Sequence, residues 1–188
     1  MTGRRLLLVG SAVVGPALVW ALIVLVPQWF DLARPMVDPP RAAPPSVPER
    51  KIKARLFYVA DDGHALSSVE RDVTYAADPA AQARAILEAQ LATPEAPLLS
   101  AMPPHTTLRA VFVANGEAYV DLSADVVTGH PGGSLNERLT VQTVVNAVTT
   151  NLPAVTSVQI LIDGKEVDTL AGHVDLRQPL VKTPTAGQ

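Results

Sequence analysis

The spacing of apolar residues changes repeatedly along the chain, and each change marks an element. Leu6 to Val26 is apolar on every side and carries no charge. Its 21 residues, at about 1.5 Å each, match the roughly 30 Å hydrocarbon core of a bilayer. Lys51 to Ala60 is rich in β-favouring residues and predicts a strand, closed by the turn residues Asp61-Asp62-Gly63. Ala65 to Tyr75 predicts a weaker extended segment with Val69, Val73 and Tyr75 spaced for one face. Asp78-Pro79 then supplies an N-cap acceptor and a first-turn proline. Ala83, Ile86, Leu87 and Leu91 follow at helical spacing until Thr93-Pro94.

Two hairpins and a second helix complete the pattern. Leu108–Ala114 and Glu117–Ser123 flank Asn115-Gly116, and Thr156–Ile162 and Lys165–Leu170 flank Asp163-Gly164. Both dipeptides suit a two-residue turn in which both central residues need positive φ. In the second strand Ala118, Val120 and Leu122 are expected inside, with Tyr119, Asp121 and Ser123 on the other face. Between the hairpins Ser134-Leu135-Asn136-Glu137 fits a capping box, with Ser134 at the N-cap and Glu137 reaching back. The helix it opens runs to about Asn151, with Leu139, Val141, Val144, Val145 and Val148 as its apolar face. The order predicts an α+β fold: a two-layer sandwich of two helices on a mostly antiparallel sheet, preceded by one transmembrane helix.

The flanks of the apolar run set its orientation. Arg4 and Arg5 precede it, and no Lys or Arg follows before Arg34. The positive-inside rule leaves residues 1–5 in the cytoplasm and exports the rest through a span over 6–26. Trp20, Trp29 and Phe30 suit the outer interface, and Pro16 is of the kind membrane helices tolerate. A cleaved signal peptide is the competing reading, but Val19-Trp20-Ala21 is a poor cleavage site and apolar residues continue past it. Residues 27–50 form a linker, with six prolines among the fourteen residues from Pro35 to Pro48. Such a stretch reaches about 40 Å at full extension. A folded domain over 51–180 and a flexible tail over 181–188 follow. This topology predicts a single-pass protein of the inner membrane with its domain outside the cytoplasm.

Composition narrows the chemistry. A hydrophobic content of 48% and mean hydropathy of +0.22 are high for a chain with 17 prolines, which is why a concentrated span is expected. The absence of cysteine excludes disulfides, thiolate metal sites and lipid attachment through a thiol. Residues 51–188 hold ten Lys and Arg against fifteen Asp and Glu, a net charge of −5, with no basic cluster. That argues against nucleic acid as a partner.

The pattern yields no catalytic, cofactor-binding or metal site, and no cofactor. His64, His105, His130 and His173 are too widely spaced for ligand pairs. Asp61, Asp62 and His64 read as a turn and fall short of a calcium loop. Gly129, Gly132 and Gly133 precede a helix but lack a phosphate-loop lysine. Asp121 and Ser123, with Asp125 beyond, sit without a G-x-S-x-G elbow, so they are read as capping the strand end and the next loop. Asp121, Ser123, Ser134, Glu137, Asn115, Gly116, Asp163 and Gly164 are therefore assigned structural work.

Read in order, the segments resemble a GerMN domain, the module named for a bacterial sporulation and spore-germination protein. The resemblance is carried by RLFYVADDG at 55–63, LEAQLATP at 87–94, LLSAMPPHTTL at 98–108, EAYVDLSADV at 117–126, the helix around Glu137, and SVQILIDGKEV at 157–167. It implies export, no established catalysis, and assembly with other proteins at the cell envelope. The chain departs from lipoprotein members in having no cysteine, and it holds one copy where such proteins can hold two. The expected function is a membrane-anchored, non-catalytic interaction module, with self-association or another envelope protein as partner. A receptor for a small ligand or cell-wall fragment is the alternative, and a hydrolase using Ser123 a further one.

Overall fold

The computed structural model describes residues 50–182, and Trp20 apart from them. The span expected over 6–26, the linker up to residue 49 and the tail beyond Lys182 lie outside the described residues. Among the described residues no helix is long and apolar enough to cross a membrane.

The fold is mixed α+β, with two sheets rather than the single one expected. Strands β1 (Lys51–Val59) and β2 (Leu66–Thr74) form an antiparallel hairpin of their own. Its turn is held by Ala60 N–H donating to Ala65 O at 2.9 Å and by His64 N–H donating to Asp62 Oδ1 at 2.8 Å. Helix α1 (Pro79–Leu91) follows, its first turn closed by Ala81 N–H donating to Asp78 Oδ2 at 2.8 Å. Strands β3 (Leu108–Ala114) and β4 (Glu117–Leu122) make the next hairpin. A short helix α2 (Asp125–Thr128), unexpected from the sequence, leads to α3 (Ser134–Asn151). The chain ends in β5 (Ser157–Ile162), β6 (Lys165–Glu166) and β7 (Leu180–Val181).

The second sheet has the order β3-β4-β5-β6, with β7 on the outer edge of β5. Its pairings of β3 with β4, β5 with β6 and β5 with β7 are antiparallel, as expected of a mostly antiparallel sheet, but its central pair, β4 and β5, is parallel. The reason is the connection. A long crossover containing α3 returns the chain to the same end of the sheet before β5 begins, as parallel neighbours require.

Side-chain amides explain why β1 does not join that sheet. Gln90 Oε1 accepts from Phe57 N at 2.7 Å while its Nε2 donates to Phe57 O at 2.7 Å. Asn151 does the same for Arg55, with both bonds at 2.8 Å. Val59 N–H donates to Leu99 O at 2.9 Å. Three alternate residues of the β1 edge are thus satisfied without a neighbouring strand, and an edge so covered is closed to further pairing.

The core lies between the strands and the two long helices. Leu56, Phe57, Ile86, Leu87, Val120, Val144, Val148 and Ile160 are all buried. Ala118, Val120 and Leu122 point inward on alternate positions, as their spacing requires.

Candidate functional site, a groove built on a buried carboxylate

Helix α3 starts one position earlier than a capping box at Ser134 needs. Gly133, at φ 85°, is the N-cap, and Ser134 is the first helical residue. Glu137 therefore does not reach back to the helix start. Its side chain turns inward, is fully buried, and binds the chain that follows β6.

A buried carboxylate is costly unless donors surround it. Glu137 Oε1 accepts from Leu170 N and Ala171 N, each at 2.9 Å. Oε2 accepts from His173 N at 2.8 Å and faces His173 Nδ1 at 3.1 Å. Burial opposes the charged form, but the backbone N–H groups of Ala171, His173, Val174 and Leu170 outweigh it and hold the carboxyl below its ordinary range. Leu176 N–H donates to Asp168 O at 2.8 Å and closes the segment into a loop. Gln159 Nε2 donates to Leu176 O at 2.8 Å and ties that loop to β5. Leu170 and Leu176 are its buried apolar anchors.

The result is a groove of about 350 Å³ between α3 and the C-terminal segment. Val141, Gln142 and Val145 form one wall, and Val174, Leu180 and Val181 the other. Arg138 and His173 stand at one end and continue into a shallower depression reaching Ser134 and Leu135. Asp175, on the rim, is held at a pKa of about 2 by side-chain and backbone hydrogen bonds from Arg177. Ser134 and His173 are the nucleophile-type side chains along the groove and its extension, and His173 Nδ1 faces Glu137.

The other residues singled out from the sequence lie elsewhere. Asn115 and Gly116 have φ of 53° and 80°, and Asp163 and Gly164 have 50° and 76°, so both pairs form the centres of tight hairpin turns. Asp121 joins these hairpins. Its Oδ1 accepts from Gly164 N at 2.7 Å, and its Oδ2 lies 3.1 Å from Arg109 Nε. Arg109 also meets Asp163 Oδ1 at 3.1 Å. Ser123 Oγ donates to Asp125 Oδ2 at 2.8 Å and accepts from Thr107 N at 3.1 Å, which engages the hydroxyl in a turn. The hydrolase reading pairs Ser123 with a histidine, and the hydroxyl's hydrogen-bond partners here are Asp125 and a backbone amide.

His130 lies between Gly129 and Pro131, which line a separate cleft of about 300 Å³ with Ser100, Met102 and Leu139. Its Nδ1 accepts from Gly132 N at 2.9 Å, and its Nε2 lies 3.3 Å from Thr140 Oγ1, which donates to Ala101 O at 2.7 Å. Among the described residues no three His, Asp or Glu side chains gather to hold a metal ion.

Sequence reasoning missed Gln82, Gln90 and His173. Gln82 and Gln90 left a signal: polar residues on the apolar stripe of α1 need buried partners. His173 left none, because its place depends on where Glu137 points.

No curated protein matches the sequence. Among solved structures the chain is similar to a candidate lipoprotein from Clostridium perfringens, at TM-score 0.50 and 19% identity over 70% of this chain and 88% of that one. It is also similar to the tandem GerMN domains of the sporulation protein GerM from Bacillus subtilis, at TM-score 0.51 and 15% identity. That match covers 77% of this chain and 50% of the tandem structure. At these identities the likeness is one of fold. The family model for sporulation and spore germination, Germane, matches residues 55–168, more than half of the chain, and the chain belongs to that family as a GerMN-type domain protein.

Proposed function

We propose that the chain is a non-catalytic interaction module of the bacterial cell envelope, anchored by residues 6–26 and displayed outside the cytoplasm. The observation that carries this reading is Glu137. A fully buried carboxylate spends its acceptors on shaping a surface loop beside a largely apolar groove. Its Val and Leu lining, with Arg138 and His173 at one end, is what a docking partner would fill. The lipoprotein likeness supports an envelope setting, and the sequence supplies the anchor.

The chain has no cysteine, so single-cysteine variants report cleanly. Lys182→Cys in intact cells should react with a membrane-impermeant maleimide. Labelling only after lysis would overturn the exported orientation. A photocrosslinking residue at Gln142 should capture a discrete partner, and one at Glu88, which does not line the groove, should not.

A small-ligand role rests on the cleft beside Met102, Pro103 and Pro131. A thermal-shift screen with wall fragments tests it, and a flat response across the panel removes it.

A further inference from the structure

The outward face of the second sheet displays an aromatic pair. Phe112 on β3 and Tyr119 on β4 are direct cross-strand partners, and Phe112 is 61% exposed. Alternation places Ala110 and Ala114 on the same face, one on either side of Phe112, so no large neighbour along β3 shields the ring. By contrast Phe57 and Tyr58 are buried in the core.

Two carboxylates share this face on the β4 to β6 side of the pair. Glu117 pairs with Ala114 one row away, and Glu166 pairs with Leu161, which itself pairs with Asp121. Glu117, through a hydrogen bond and its charge, raises the Tyr119 phenol above its usual pKa, with smaller contributions from burial and from Glu166. Asp121 on this face is compensated by Arg109. Among the described residues Glu117 and Glu166 take part in no ion pair.

This chemistry selects a cation. Aromatic faces attract ammonium and guanidinium groups, and uncompensated carboxylates reinforce the attraction. The two acids are separated by about 13 Å along the strands and about 10 Å across them, from strand geometry. One small amine cannot meet both, whereas an extended chain with several cations can run across the strands from Phe112 over Tyr119, past Glu117, and on over β5 toward Glu166. We propose that the Phe112–Tyr119 face binds an extended, lysine- or arginine-bearing segment of a partner protein. This proposal rests on the interaction role above and names the chemistry of one partner surface.

The test uses the 188-residue chain and a fluorescent hexapeptide of alternating lysine and threonine, read by anisotropy. A glutamate–threonine peptide is the charge control, and an N-acetylglucosamine hexamer is the competitor. Phe112→Ala should weaken binding about 2- to 30-fold, the range of a cation–π contact, while Phe112→Trp retains it. Glu117→Gln with Glu166→Gln should weaken binding and flatten its salt dependence. Phe112 is exposed, so circular dichroism should show all variants folded.

Unchanged affinity in Phe112→Ala would overturn the proposal, since charge alone would explain binding. Equal binding of the acidic peptide, or displacement by the glycan, would overturn it too. So would a concentration-dependent dimer abolished by Phe112→Ala with peptide binding intact, which would assign the face to a second copy. Loss of the Gln142 crosslink with Phe112-dependent peptide binding preserved would sink the groove reading and leave this face standing. The reverse pattern would sink this face alone.

Discussion

Gln90 stands against Phe57 as one strand stands against another, accepting from its N–H and donating to its carbonyl, each at 2.7 Å. Both partners are buried. Gln90→Leu keeps the volume and leaves two buried backbone groups without partners, which costs about 2–6 kcal/mol at about 1–3 per group. Urea unfolding of the two proteins checks this. A difference below about 1 kcal/mol would show that water or a shifted strand takes over.

Asn151 serves Arg55 in the same way, but in a more exposed setting. Asn151→Ala should cost less than Gln90→Leu, about 0.5–1.5 kcal/mol. The double variant opens two adjacent pairing positions on the β1 edge. It should aggregate faster than either single variant at equal loss of stability, measured by light scattering under native conditions.

Acid should loosen the C-terminal loop. The Glu137 carboxyl has a folded pKa below its unfolded value of 4.5. Its stabilisation is therefore full above that value and is lost as pH falls through the folded pKa. Asp175, lowered from 3.8 to about 2, adds a smaller, salt-screened contribution lost between those two values. Protection of the Leu170, Ala171 and His173 amides, taken relative to the intrinsic exchange rate at each pH, should fall below pH 4.5 before that of the core. Glu137→Gln places an amide donor against backbone donors, should lower stability by about 2–4 kcal/mol at neutral pH, and should flatten this acid dependence.

The two hairpin glycines separate strain from crowding. A Cβ on Gly164 meets nothing within 4 Å, whereas one on Gly116 meets Ala154 O at 3.4 Å. Both have positive φ. Gly164→Ala should cost about 1 kcal/mol from backbone strain alone. Gly116→Ala should cost more, because the neighbouring backbone must also give way. Thermal melts of the two variants decide the order.

Much of this architecture was legible along the chain. Asn115-Gly116 and Asp163-Gly164 announce their turns because few other residues adopt positive φ at both central positions. Asp78-Pro79 announces α1 because cap and proline act locally. The parallel pairing of β4 with β5 was not legible from alternation, which is blind to strand direction. It required counting the crossover through α3 as a reversal. Nor was the edge capping of β1, since an amide spaced 33 positions from Phe57 gives no local pattern.

Glu137 shows the same limit at the site. Ser134-x-x-Glu137 satisfies the local rule for a capping box, and the rule is weak enough that tertiary donors override it. Four backbone N–H groups from a segment more than thirty residues away compete for that carboxylate. They outweigh one N–H at the helix start. The groove lining, by contrast, could be assembled only once β7 was seen to return to β5.

The central claim is that Glu137 shapes a groove that a partner occupies. Photocrosslinking from Gln142 in intact cells tests it most directly, in the native sequence and in Glu137→Gln at matched membrane abundance. The groove account predicts one discrete crosslinked species from the native protein and its loss in Glu137→Gln. No crosslink from Gln142, or one indifferent to Glu137→Gln, would contradict it.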